Sequence, residues 1–346
     1  FAELDDRSIV HLFTDTPRRG SILDRNGKEL AVDASLPVIG FVPDLITDKE
    51  ALISGLASAL KMSESDVRTK VETDLPSYYF IPVTTLSYGT SVEALDKFYA
   101  LSDLGVVVRH QTQRVYPHGD SVAHVLGYMA EVTADQLEEL QAARYGPGDK
   151  IGALGLEAQF DDVLPGEHGG TLATITPEGT VSRTIAEKPA QAGKDLILTL
   201  DIDIQKATES SLGDRVGSIV VMDPRDNGVL ALASYPSFNP QAITDGLSVE
   251  EHNKLANDER QPFLHRPLLA TYALGSTFKP VTMAAGMEMA GVSASETFHC
   301  VPVWTGLGEA FPKNNWQTVD RGYLTPAQGL MASCNPVFYE IALRLD

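Results

Sequence analysis

No run of 18 or more consecutive apolar residues occurs in this 346-residue chain, so nothing in it reads as a membrane-spanning helix. No basic-then-apolar segment opens it as a secretory signal would, although an anchor ahead of Phe1 is not thereby excluded. Basic residues are in deficit. The 27 Lys and Arg face 47 Asp and Glu, a formal charge of -20 that repels a phosphate backbone, so nucleic acid is not an expected partner. The acidity reads as a solvated surface rather than a binding patch. Cysteine is nearly absent: Cys300 and Cys334 are too few and too far apart for a metal cage or a disulfide framework, and they leave the redox compartment open. Internal repeats and low-complexity tracts are missing as well.

What is present suits a globular protein. With 43% hydrophobic and 7% aromatic residues the chain has enough apolar surface for a full core, and its length fits two domains. Residues 1 to about 190 mix short β-rich runs (Val38 to Val42, Tyr79 to Val83, Gly105 to Arg109) with amphipathic stretches, Lys49 to Leu60 and Asp66 to Glu72. This half reads as an irregular α+β module. From Lys194 the texture changes. Asp195 to Leu200 is strand-like, and Asp201 to Leu212 reads as a helix with Asp201 or Asp203 near its N-cap. The clearest hairpin pairs Gly217 to Met222 with Val229 to Ser234, joined through Asn227-Gly228, a dipeptide that tolerates positive φ. A loop-rich stretch, Tyr235 to Tyr272, leads to a helix expected from about Ser276 to Ala290 and stopped by Gly291. Leu324 to Met331 and Pro336 to Leu345 are two more expected helices, with Pro326 and Pro336 as first-turn prolines.

The chemistry is expected at Ser276-Thr277-Phe278-Lys279, an S-x-x-K pattern at a helix start. Positions i and i+3 share one face, which brings a hydroxyl and an amine within hydrogen-bond reach. Pro280 is tolerated only in the first turn, so Ser276 is expected at the helix N-terminus, where unpaired N-H groups favour a developing oxyanion. A Lys279 made neutral by burial or by a neighbouring cation is the expected base. The pattern alone is weak, since a chain of this size holds about one by accident; Ser58-Ala59-Leu60-Lys61 is such a match, on an ordinary helix surface. A second element, Ser333-Cys334-Asn335, sits on a short connection between the two later helices. Its hydroxyl suits a proton relay and its carboxamide suits a substrate amide. Ser237-Phe238-Asn239 has the same S-x-N form but reads as turn chemistry.

S-x-x-K and S-x-N, with a third K-T-G box, mark penicillin-binding proteins and class A β-lactamases. Further motifs make the resemblance specific to class B (monofunctional) penicillin-binding proteins. Arg19-Gly20-Ser21-Ile22-Leu23-Asp24-Arg25-Asn26-Gly27 with Leu30-Ala31 resembles that family's opening motif. Arg114-Val115-Tyr116-Pro117 with His124 to Tyr128 resembles its second, and Gly152 to Glu157 with Leu164-Pro165-Gly166 its third. These motifs belong to the family's non-catalytic pedestal, so Arg19, Asp24, Arg25, Arg114 and Glu157 are expected to bind one another rather than a substrate. Asp245 to Ser248 and Asn257-Asp258 before His265-Arg266-Pro267 look most like the elongation-type penicillin-binding protein 2. The chain departs from the family in two places. Tyr272-Ala273-Leu274-Gly275 stands where the family reads Tyr-x-Pro-Gly, and no K-T-G or K-S-G follows Asn335.

The resemblance implies an α+β fold: a pedestal over residues 1-192, then, over 193-346, the N-terminal portion of a transpeptidase domain of antiparallel sheet packed with helices, its K-T-G part missing. It implies a serine D,D-transpeptidase in which Ser276, Lys279, Ser333 and Asn335 carry the reaction. Peptidoglycan stem peptides are the implied substrate and β-lactams the implied inhibitors. A SEDS-family glycosyltransferase and elongation-complex proteins are the implied partners. The implied place is the outer face of the cytoplasmic membrane, reached through an N-terminal helix that this chain lacks. No cofactor is expected. Some relatives bind zinc near the active site, but the spacing of His299, Cys300 and Asp320 does not match a metal site, and free side chains are expected there. Two other functions share these features: a serine β-lactamase, and a scaffold whose pedestal activates a glycosyltransferase.

Overall fold

The computed structural model describes residues 9-72, 75-140, 145-176 and 180-345, so the chain ends Phe1 and Asp346 fall outside the described residues. The fold is α+β, in two compact units, Phe1–Ala270 and Thr271–Asp346.

The first unit is organised by the strand Glu29–Phe41. It pairs antiparallel with Val106–Val115 from Val32↔Val115 to Phe41↔Val106, with Ile81–Thr85 on its other edge, and near its start with Ile22–Leu23. Because it is central, Leu36 to Phe41 are buried without alternation. Three helices, Lys49–Leu60, Glu64–Val71 and Val92–Tyr99, cover this sheet and bury Ile39, Phe41, Leu52, Ile53, Leu56, Val67 and Phe98. Each starts where a side-chain oxygen takes an orphan backbone N-H: Asp48 from Ala51, Ser63 from Asp66, Ser91 from Ala94. The second helix thus begins at Glu64, ahead of the expected Asp66, because Ser63 supplies the cap. A second core of Ile22, Leu30, Tyr116, Leu126, Leu164, Leu200 and Ile202 joins the three sequence motifs of this half.

The expected strand Asp195 to Leu200 shortens to Leu196–Ile197, a parallel partner of Ile22–Leu23, which is itself only two residues long. Asp201 then caps the helix Ile202–Leu212, accepting from the N-H groups of Asp203 and Ile204. The hairpin forms as Gly217–Met222 and Val229–Tyr235, with Asn227 at φ 60°. Buried Gln205 reaches across from the helix, accepting from Leu232 N at 2.7 Å and donating to Leu232 O at 3.1 Å. The side-chain amide thereby satisfies two backbone groups of that strand.

The motif charges of this unit do meet one another in part. Glu157, fully buried, accepts from Arg19 Nε and Arg114 Nε, each at 2.8 Å. Arg19 also reaches Asp161 at 3.0 Å, and Arg114 reaches Asp33 at 3.2 Å. Asp24 differs from expectation: its oxygens take the backbone N-H groups of Asn26, Lys28 and Ile202, so it shapes a turn instead of pairing with an arginine.

In the second unit, three helices, Lys279–Met289, Pro326–Met331 and Asn335–Leu343, enclose Val292, Phe298, Val337, Phe338 and Ile341. Their approach is close. A Cβ placed on Gly286 would lie 2.3 Å from Ile341 Cγ2, and one on Gly329 would lie 2.8 Å from Val337 Cγ1. Two short two-stranded ribbons, Phe298–His299 with Tyr323–Leu324 and Val303–Trp304 with Lys313–Asn314, complete the unit. The cysteines overturn the sequence reading. Cys300 and Cys334 form a disulfide, their Cα atoms 6.2 Å apart, because the fold returns the chain to within bridging distance after 34 residues. Distance along the chain was the wrong measure, since a pair this far apart is joined by tertiary structure alone.

Candidate active site

All four residues singled out by sequence belong to the second unit, and they meet. Ser276 lies in a 3-10 turn, Gly275–Phe278, that feeds into the helix Lys279–Met289. The helix therefore starts three residues later than expected, with Pro280 in its first turn. Gly275, at φ 55°, makes the bend before the serine. Leu274, at φ -62°, already holds the angle that a proline would impose, so the departure from Tyr-x-Pro-Gly leaves the backbone path intact.

Ser276 and Lys279 were expected to touch directly. Instead Ser333 stands between them: its Oγ is 3.0 Å from Ser276 Oγ and 3.1 Å from Lys279 Nζ. The lysine turns toward the S-x-N connection, which offers it three oxygen acceptors. Lys279 Nζ also donates to Ser333 O and to Asn335 Oδ1, both at 2.7 Å, and sits 5.5 Å from the centre of the Phe338 ring. Lys279 is only 8% exposed, and its hydrogen-bond partners are neutral. Burial pushes its amine below the usual lysine value, toward the form that accepts a proton.

Ser333 adopts φ 50°, uncommon for a residue with a side chain, at the end of the helix Pro326–Met331. Asn335 is the first residue of the next helix. Four groups thus converge: a surface hydroxyl, a bridging hydroxyl, a buried amine and a carboxamide whose oxygen is bound and whose Nδ2 has no partner among the described residues. The arrangement suits a serine nucleophile activated through a relay by an amine base.

The other expectations resolve locally. Ser58 lies within an ordinary helix and Lys61 at its left-handed end, φ 56°. Asn239 caps the helix Pro240–Asp245, and Ser237 donates to Asp120 O. His299 meets Asp320 at 2.9 Å and stacks on Tyr323, while Cys300 is committed to the disulfide and is not a free side chain. A cleft of about 1140 Å³ lined by Arg18, Asp33, Gln113, His168 and Gln241 belongs to the first unit and includes none of the four residues. Sequence reasoning missed Asn315, Trp316 and Gln317, whose side chains bond the backbone of Asn335, Ser333 and Ala332. Their signal was an amide-indole-amide run in a loop, visible only once the loop is folded back.

Residues 14–198 match the Penicillin-binding Protein dimerisation domain, and residues 217–346 match the Penicillin binding protein transpeptidase domain. The chain belongs to the class B penicillin-binding proteins, of the penicillin-binding protein 2 type. Among curated relatives it is 31% identical over 341 residues to Peptidoglycan D,D-transpeptidase MrdA of Escherichia coli (strain K12), covering 96% of this chain and 53% of that protein. It is 35% identical over 298 residues to Penicillin-binding protein 3 of Bacillus subtilis (strain 168), covering 86% and 43%. The chain spans about half the length of the curated relatives it matches. Penicillin-binding protein 2 from Helicobacter pylori, solved in complex with MreC, shares the fold at TM-score 0.72 and 22% identity, over 97% of this chain and 62% of that one. A chain of a peptidoglycan synthase complex gives TM-score 0.72 at 28% identity, over 96% and 57%. Among the described residues no helix is long and apolar enough to cross a membrane.

Proposed function

We propose that the chain is the pedestal (residues 1-192) and part of the catalytic domain (193-346) of a serine D,D-transpeptidase that cross-links peptidoglycan. Ser276 Oγ attacks the carbonyl of the penultimate D-Ala of a stem peptide. As the new C-O bond forms, the Ser276 proton passes to Ser333 Oγ while the Ser333 proton passes to neutral Lys279. The bond to the terminal D-Ala then breaks, and the departing amine takes the proton back from Lys279. An amine of a neighbouring strand then attacks the ester carbonyl; as the C-N bond forms and the C-O bond to Ser276 breaks, the proton the amine loses passes through Lys279 and Ser333 to the departing Ser276 oxygen. Asn335 Nδ2 holds a substrate carbonyl meanwhile, its own oxygen being fixed by Lys279. A β-lactam, whose strained amide imitates the D-Ala-D-Ala end, acylates the same serine.

The observation that carries this reading is the unbroken path Ser276 Oγ, Ser333 Oγ, Lys279 Nζ, with steps of 3.0 and 3.1 Å and no carboxylate among the lysine's hydrogen-bond partners. Kinship with MrdA supports peptidoglycan D,D-transpeptidation, and the family resemblance extends this to wall elongation at the outer face of the cytoplasmic membrane, tethered by an N-terminal helix. The Helicobacter pylori relative's complex with MreC supports a partner of that kind, the peptidoglycan synthase complex supports work beside a polymerising enzyme, and the family resemblance makes that enzyme a SEDS-family glycosyltransferase. The test is mass spectrometry of the full-length protein after exposure to penicillin. One adduct on Ser276, absent from Ser276→Ala, is expected; no adduct, or one that persists in the variant, overturns the proposal.

A further inference from the structure

The connection Ala332 to Asn335 carries two of the four site residues, and every one of its residues is tethered. Gln317 Nε2 donates to Ala332 O at 3.2 Å, and Trp316 Nε1 donates to Ser333 O at 2.9 Å. Cys334 is bridged to Cys300. Asn315 Oδ1 accepts from Asn335 N at 3.2 Å, while Asn315 Nδ2 lies 3.7 and 3.8 Å from the two bridge sulfurs. Three consecutive side chains of one loop thus hold the connection on which Ser333 keeps its left-handed φ of 50°. Hydrophobic burial does not explain Trp316, which is 63% exposed; its N-H bond does.

We propose that Asn315, Trp316 and Gln317 are positioning residues for acyl transfer, holding Ser333 in the left-handed conformation that lets its hydroxyl bridge Lys279 and Ser276. This rests on the transpeptidase reading above. Trp316 and Lys279 share one acceptor, Ser333 O. Without the indole donor that carbonyl serves Lys279 alone, which favours the ammonium and delays the relay to higher pH. Among the described residues few other charges bear on the lysine. The helix Pro326–Met331 has no ionisable side chain and the loop 315-317 has none. Of the ionisable groups on or just beyond the helix Asn335–Leu343, Tyr339 packs on Trp304, Glu340 accepts from Trp304 and Arg344 pairs with Glu296. Glu288 lies at the far end of the lysine's own helix.

The test uses Trp316→Phe, which keeps a ring and removes the donor, and Asn315→Ala, in the full-length protein. Acylation by a fluorescent penicillin, followed from neutral to alkaline pH, is expected to slow about tenfold at neutral pH in Trp316→Phe and to recover as pH rises. The melting temperature should hold in that variant. Asn315→Ala is expected to slow acylation in the same sense. Unchanged rates in both variants overturn the proposal, as does a uniform slowing with no pH displacement and a lower melting temperature. Should the wild type itself take no adduct, the transpeptidase reading fails separately, and a crystal structure of Trp316→Phe decides the positioning claim. A lost Ser333-Ser276 contact supports it; an intact contact at unchanged φ overturns it.

Discussion

Glu157 and Lys279 are both buried ionisable groups, and their surroundings treat them in opposite ways. Glu157 lies between two arginines, each also held by an aspartate. Burial works against the Arg19 charge but is outweighed by Glu157 and Asp161, so its guanidinium is held above the ordinary arginine value. Among the described residues Lys279 meets only neutral oxygens, and burial lowers it. A charge surrounded by counter-charges persists; one surrounded by dipoles is more easily given up. The first arrangement locks three sequence motifs together, and the second leaves an amine able to take up a proton.

The sharpest way to break this contrast is at the lysine. Lys279→Met is expected to slow penicillin acylation by roughly 10³-fold. Lys279→Arg should do no better, because a guanidinium stays protonated. In the wild type the acylation rate should rise with pH and level off below the ordinary lysine value of 10.5, since only the neutral amine accepts a proton. Stability shifts in the same direction. A depressed lysine value costs folding free energy below it, and that cost disappears as pH rises toward the unfolded value. A flat pH profile, or an active Arg variant, would remove the base from Lys279.

At the pedestal, Glu157→Gln leaves two buried guanidinium groups short of a counter-charge and should destabilise the protein by about 3 kcal/mol in denaturant unfolding. Acylation per folded molecule should not change; a lost adduct with intact stability would show that the cluster serves chemistry after all. The smallest effect belongs to the exposed pair Arg68 with Glu50, 2.7 Å apart. Glu50→Gln should leave the melting temperature where it was, because solvent screens that pair. A clear drop there would mean that burial is not what separates these cases.

Where structure is local, the sequence could be read directly. Asp201 ahead of an amphipathic run, Asn227-Gly228 between β-rich segments, and Pro326 and Pro336 in first turns each state their conformation within a few residues. The four candidate residues were legible for the same reason, since S-x-x-K and S-x-N are short motifs whose context also matched a family. What was not legible depends on the return of distant chain. The Cys300–Cys334 bridge joins residues 34 apart. The three side chains 315 to 317 acquire meaning only beside Ala332 to Asn335, and Asp24 finds its third N-H at Ile202. The insertion of Ser333 between Ser276 and Lys279 was hidden in the same way, since Ser333 lies 57 residues beyond Ser276.

Gly286 sits about two turns beyond Lys279, at the crossing with the helix that begins at Asn335. The two helices are gauged there by a hydrogen atom, since a methyl group would already collide with Ile341. The spacing between the helix that carries the amine and the helix that carries the carboxamide is therefore set at a glycine outside the four-residue cluster. Any side chain at position 286 must push the two helices apart before it disturbs anything else.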